Sequence, residues 1–158
     1  MSIEILNRWT QAVVYRSEAS DIRAALIAAV TSGADLGEAN LGGANLRPIR
    51  DDFWAVLACA PQEIPALRKA LVEGRVDGST YQGACACLVG TIANARGCTY
   101  DQIPTIVPNA SRPAEQFFLA IGKGDTPETS QFSRLAVEWL DDFYSRMKTA
   151  FAPQGMSQ

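Results

Sequence analysis

The chain has 158 residues, 47% hydrophobic and 20% charged, enough for one globular core and too little for two large ones. Against 17 acidic residues stand 14 basic ones, a formal charge of −3, so the cationic excess that drives contact with phosphate backbones is missing and direct nucleic-acid binding is disfavoured. Histidine is absent, and with it go the usual general base near neutral pH, the usual zinc nitrogen ligand and every Ser-His or Cys-His nucleophile pair.

Ile3 to Leu6 and Ala12 to Tyr15 are short β-prone runs joined by Asn7 to Gln11, which predicts a β-hairpin. Two strands alone are marginal in water, so the hairpin needs a packing partner. The segment from Asp21 to Ser32 supplies one as a helix, with Ser17 or Ser20 as cap, Ile22, Leu26, Ala29 and Val30 at helical spacing, and Gly33 as stop. Ala34 to Pro48 then holds three consecutive copies of A-[DN]-L-x-x, whose five-residue period fits neither helix nor strand. A compact looped connector is the plain reading. Asp35, Glu38, Asn40 and Asn45 are its candidate partner-binding side chains.

From Pro48 onward the pattern is helical. A helix is expected around Arg50 to Leu57, with Asp51 and Asp52 matched to its dipole and Phe53, Trp54 and Leu57 inward. A second takes Pro65 as its first residue and stops at Gly74, a turn spans Val76 to Tyr81, and a buried helix runs from Ala84 to Arg96 up to Gly97. Pro113 opens another, with Phe117, Phe118 and Ile121 on the core side. The final helix is expected to be capped by Thr126, with Pro127 at its first position and a stripe of Phe132, Leu135, Ala136, Trp139, Leu140, Phe143 and Met147. The fold class is therefore α+β, mainly α: hairpin and helix, a short repeat segment, and a C-terminal helical bundle. Residues 1–48 and 49–152 form its two regions, with a frayed tail at 153–158.

Several phrases go together: Asn7-Arg8 in the hairpin, the three repeats, Ile49-Arg50-Asp51-Asp52-Phe53-Trp54, Asp77-Gly78-Ser79-Thr80-Tyr81, Cys85-Ala86-Cys87-Leu88-Val89-Gly90-Thr91, Arg112-Pro113-Ala114-Glu115 and Gly124-Asp125-Thr126-Pro127-Glu128-Thr129. In this order they resemble a group of pentapeptide-repeat-containing proteins of tailed phages and prophages, over nearly the whole chain. In longer arrays of that family four units make one coil of a right-handed quadrilateral β-helix; three make less than one coil, and repeat architectures need several to bury a core. The resemblance implies a phage accessory protein of unassigned activity.

Cys59, Cys85, Cys87 and Cys98 suggest a four-thiolate zinc site, but on a helix Cys85 and Cys87 point apart, so free packed thiols are expected and no metal or cofactor. Arg112, Lys123, Asp125 and Thr126 form a candidate anion site at the expected helix start, although Gly122 to Thr126 is not a phosphate-binding P-loop. Ser79 and Tyr81 offer a hydrogen-bonding ligand edge beside a turn. Asp51-Asp52 and Asp141-Asp142 read as helix-surface acids. The charge is spread, from 0 over residues 1–33 to −2 over 34–46, which does not favour a phosphate-mimicking face.

The expected function is a non-enzymatic accessory protein that binds and inhibits a host factor, a component of antiviral defence or nucleic-acid processing, by blocking a protein partner or sequestering a small anionic signal. An enzyme using Asp or Cys chemistry and a purely structural interaction module are the alternatives. Apolar runs such as Ala24 to Val30 fall short of the roughly 20 residues of a membrane span, and Glu4 with Arg8 breaks up a secretory signal. A cytosolic protein is expected, and a homodimer, the commonest assembly.

Overall fold

The structure, a computed structural model, describes residues 2–7, 10–32, 34 and 46–152. The repeat residues 35–45 lie outside the described residues, and with them Asp35, Glu38, Asn40 and Asn45; so does the tail 153–158. Among the described residues the fold is mainly helical, about 52% helix with one two-stranded antiparallel sheet. Among the described residues no helix is long and apolar enough to cross a membrane.

Strands β1 (Ile3–Leu6) and β2 (Val13–Ser17) form the predicted hairpin, with Glu4 opposite Arg16 and Ile5 opposite Tyr15, and an irregularity between Ile5 and Leu6. Its connection is held by Asn7, whose Oδ1 accepts from the Thr10 N–H and whose carbonyl accepts from the Gln11 N–H. Helix α1 (Ile22–Thr31) packs on both strands. Neither expected serine caps it; Asp21 Oδ1 instead accepts the Ala24 N–H at 2.9 Å, the usual role of an Asx side chain at a helix start. Ile5, Leu26 and Ala29 belong to one continuous apolar cluster with Ile49, Phe53, Phe118 and Leu140.

Helix α2 (Arg47–Cys59) begins earlier than expected, because Pro48 fits the first turn, where its fixed φ suits the helix and its missing N–H is not needed. The expected division at 48/49 falls inside that turn. Asp51 and Asp52 consequently lie beyond the first turn, and dipole matching is not their role. A 3₁₀ turn (Pro61–Glu63) leads into α3 (Ile64–Val72), followed by α4 (Leu88–Arg96), α5 (Pro113–Phe118) and α6 (Gln131–Ala150). Helices α3 and α6 pack together, α2 lies on α5 and α6, and α4 touches α3 and α5. Phe53 meets Phe118 with ring centroids 5.3 Å apart, and Phe117 meets both Phe132 and Trp139. Across the bundle the Trp54 indole N–H donates to the Trp139 carbonyl.

Two further helix starts differ from the sequence reading, because backbone groups already bonded in a separate turn or to a tertiary partner cannot extend a helix. Residues 84–87 do not join α4, since Ala86 bridges to Val76, its carbonyl accepts the Asp77 N–H, and the Cys87 N–H donates to the Thr80 carbonyl at 2.7 Å. Cys85 and Cys87 are thus not on a common helix, and Cys87 is the extended residue preceding α4. Likewise Thr126 does not cap α6. The Thr129 and Ser130 N–H groups close a separate turn onto the Thr126 carbonyl, Ser130 is extended, and its Oγ accepts the Ser133 N–H.

Candidate functional site

The turn Asp77–Tyr81 is wedged between α4 and the end of α5. Its first fold is local: Asp77 Oδ1 accepts from both the backbone N–H and the hydroxyl of Ser79, an Asx turn of the kind Asp-Gly-Ser favours. Its placement is tertiary. The Gly78 N–H donates to the Ile121 carbonyl at 2.9 Å, and a Cβ at residue 78 would lie 1.9 Å from the Phe118 carbonyl oxygen. On the other side a Cβ at residue 90 would lie 2.3 Å from the Tyr81 carbonyl oxygen. Only glycine lets the turn approach both helices this closely.

Tyr81 leaves the turn to stack on Tyr100, centroids 4.9 Å apart, and donates its hydroxyl to Glu115 Oε2 at 2.5 Å. Glu115 Oε1 accepts the Asn109 N–H. Glu115 is 5% exposed, and among the described residues no Lys or Arg pairs with it. Burial, together with the hydrogen bond to Glu115, pushes the Tyr81 phenol well above its ordinary range, so it stays a neutral donor. Burial also pushes the Cys87 thiol up, with the Glu115 carboxylate acting in the same sense and the N–H groups of Gly90 and Val89 opposing. A protonated thiol is a poor nucleophile. These groups surround a pocket of about 200 Å³ lined by Gly78, Ser79, Tyr81, Cys87, Glu115 and Leu119.

Of the residues selected by sequence, Ser79 and Tyr81 therefore meet at one pocket. The anion cluster does not assemble. Arg112 lies ahead of α5, where its guanidinium makes two hydrogen bonds to Asp52, at 3.2 and 3.0 Å, while Asp52 Oδ2 also accepts the Ala114 N–H. Lys123 and Thr126 lie past the other end of α5, a helix whose six residues rise about 9 Å. Asp125 turns its carboxylate back onto the Gly122 N–H, and Thr126 bonds within its own turn. The acids Asp141 and Asp142 bind Arg68 and Arg146. All four cysteines are free, and among the described residues no group of His, Cys, Asp or Glu is placed to hold a metal ion.

A second concavity, about 530 Å³, runs between α2 and the connection 105–113. Ala55, Val56 and Ile106 provide its apolar wall, Cys59 and Val107 its exposed edge, and the Asp52–Arg112 pair one end. Ile106 points inward at 3% exposure and Val107 outward at 80%, the alternation of a strand. Among the described residues, neither backbone N–H finds an acceptor within the protein.

Sequence reasoning missed Glu115, Cys87 and Val107. Glu115 stands in the quoted phrase Arg112-Pro113-Ala114-Glu115, but its hydrogen bond reaches Tyr81 across 34 positions, beyond any local spacing signal. Compared with known proteins, the chain matches no family model, no curated protein and no solved structure.

Proposed function

We propose that this chain is a phage or prophage accessory protein of the pentapeptide-repeat-containing kind that acts by binding, inhibiting a host factor of antiviral defence or nucleic-acid processing by occupying its surface. The observation that carries this reading is the edge at Ile106 and Val107. The Val107 backbone N–H, an apolar side chain turned out to solvent and a groove alongside are what an extended segment of a partner protein needs in order to dock there with its own backbone hydrogen bond. Blocking a protein suits this surface better than sequestering an anion. Arg112 is already neutralised by Asp52, and the smaller pocket presents a carboxylate, which repels phosphates.

The test is phage plating on hosts that carry individual defence systems, with and without this protein. Plating is expected to recover against at least one system, and Val107→Glu, which places a charge on the exposed edge without touching the core, is expected to abolish the recovery while leaving the melting temperature unchanged. Failure to relieve any system, or full recovery with Val107→Glu, overturns the reading.

A further inference from the structure

We propose that the pocket between the Gly78–Tyr81 turn and α5 is a binding site for a small organic cation, a guanidinium or primary ammonium group carried on a short stem. This proposal stands independently of the groove beside α2.

The donors and acceptors at the pocket decide the class of ligand. Each side-chain hydroxyl there already donates: Tyr81 to Glu115, Ser79 to Asp77, and Thr80 to the Gln82 carbonyl. What remains is acceptor capacity. A carboxylate offers about four lone-pair positions, and Glu115 uses two, for the Tyr81 hydroxyl and the Asn109 N–H. A ligand that brings donors can fill the other two. Among the described residues no cationic side chain pairs with the buried Glu115 carboxylate, which favours a donor that is also positive. The Tyr81 ring, packed on Tyr100 on one side, is a second surface that attracts cations.

Size narrows the class further. About 200 Å³ is below the range that encloses drug-sized ligands and suits a head group of a few heavy atoms. The pocket opens past the exposed residues Ala110 and Leu119, so the stem of a longer molecule can lead out to solvent. The walls are set by contacts that admit no side chain at residues 78 and 90, which holds the acceptors in place before a ligand arrives and lowers the ordering cost of binding.

The experiment is titration of the folded chain with methylguanidinium chloride, methylammonium chloride and a capped Gly-Arg-Gly peptide, followed by amide chemical shifts, with sodium phosphate and sodium acetate as anion controls. Saturable binding of the cations is expected in the millimolar range usual for so small a ligand, with shifts at Ser79, Tyr81 and Glu115. Tighter binding of the peptide than of methylguanidinium would identify a partner's Arg side chain as the source, and weaker binding a free metabolite; the site stands in either case. Glu115→Gln keeps the shape and one oxygen acceptor, enough for the Asn109 N–H, while its amide NH2 faces the Tyr81 hydroxyl as a donor, and it lowers cation affinity about tenfold or more, the value of a charge-assisted bond. Ala110→Trp, at an exposed position on the rim, blocks entry without disturbing the core, and Val107→Glu leaves affinity unchanged. No saturation by either cation, equal affinity in Glu115→Gln and Ala110→Trp, or equal shifts with phosphate would overturn the proposal.

Discussion

Replacing Gly90 by alanine sets two physical effects against each other. Gly90 lies inside α4, and helix propensity alone predicts that alanine there stabilises by about 1 kcal/mol. The tertiary structure predicts the opposite. The new Cβ would stand 2.3 Å from the Tyr81 carbonyl oxygen and 2.7 Å from the Ala86 Cβ, so the turn must retreat by about 1 Å to restore ordinary van der Waals contact. It has nowhere to go, because on its far side Gly78 already abuts the Phe118 carbonyl and donates to Ile121. Overpacking of this kind costs about 1–3 kcal/mol, and loss of the Cys87-to-Thr80 and Gly78-to-Ile121 hydrogen bonds adds about 1 kcal/mol each. Against the propensity gain the net is a destabilisation of about 2–4 kcal/mol. With a urea m value of about 2 kcal/mol per M, the unfolding midpoint falls by about 1–2 M. Equilibrium urea unfolding followed by far-UV circular dichroism measures this directly. A midpoint that stays or rises in Gly90→Ala refutes the wedged turn and leaves propensity as the controlling effect.

Three further outcomes are expected. Asp52→Ala removes both acceptors of Arg112 and the acceptor of the Ala114 N–H, which lowers stability by about 2–3 kcal/mol; thermal unfolding should show a loss of several degrees, with Asp52→Asn in between, and no change would remove the pair from the list of structural clamps. Glu63, buried at the start of α3, accepts two hydrogen bonds from Arg96 that hold its carboxyl below the ordinary value of 4.5. Its folded-state pKa is the lower one, so its contribution is complete above the unfolded value and disappears as pH falls through the folded one; the stability gap between wild type and Glu63→Gln should narrow progressively as pH falls below 4.5, and a gap independent of pH would contradict this. Cys59 is exposed and Cys87 buried with its thiol pushed up, so a thiol reagent should modify Cys59 in the native protein in a fast phase that Cys59→Ser removes, while Cys87 reacts far more slowly; Cys87 modified as fast as Cys59 would contradict this.

Particular residues show how far local reasoning reached. Proline at the first turns of α3 and α5 was readable because its ring restricts φ and its missing N–H costs nothing there. The stripe on α6 was readable because a 3.6-residue period shows through any 20-residue amphipathic helix. Thr126-Pro127-Glu128 carries an equally good capping pattern, yet Ser130 caps the helix, since a separate turn closed onto the Thr126 carbonyl intervenes. Among the candidate site residues, Ser79 and Tyr81 were found because Asp-Gly-Ser marks a turn. Their partner Glu115 was not, since nothing local to Arg112-Pro113-Ala114-Glu115 says which turn it will meet.

Composition and periodicity alone determined that this chain is mainly helical, begins with a β-hairpin and carries no histidine chemistry, because helix period, strand alternation and residue inventory are local properties. Which side chains converge was decided by packing. Arg112 went to Asp52 and away from Lys123, Glu115 went to Tyr81, and residues 84–87 went to the 76–80 turn, each because a buried polar group must find a partner wherever the fold brings one within reach.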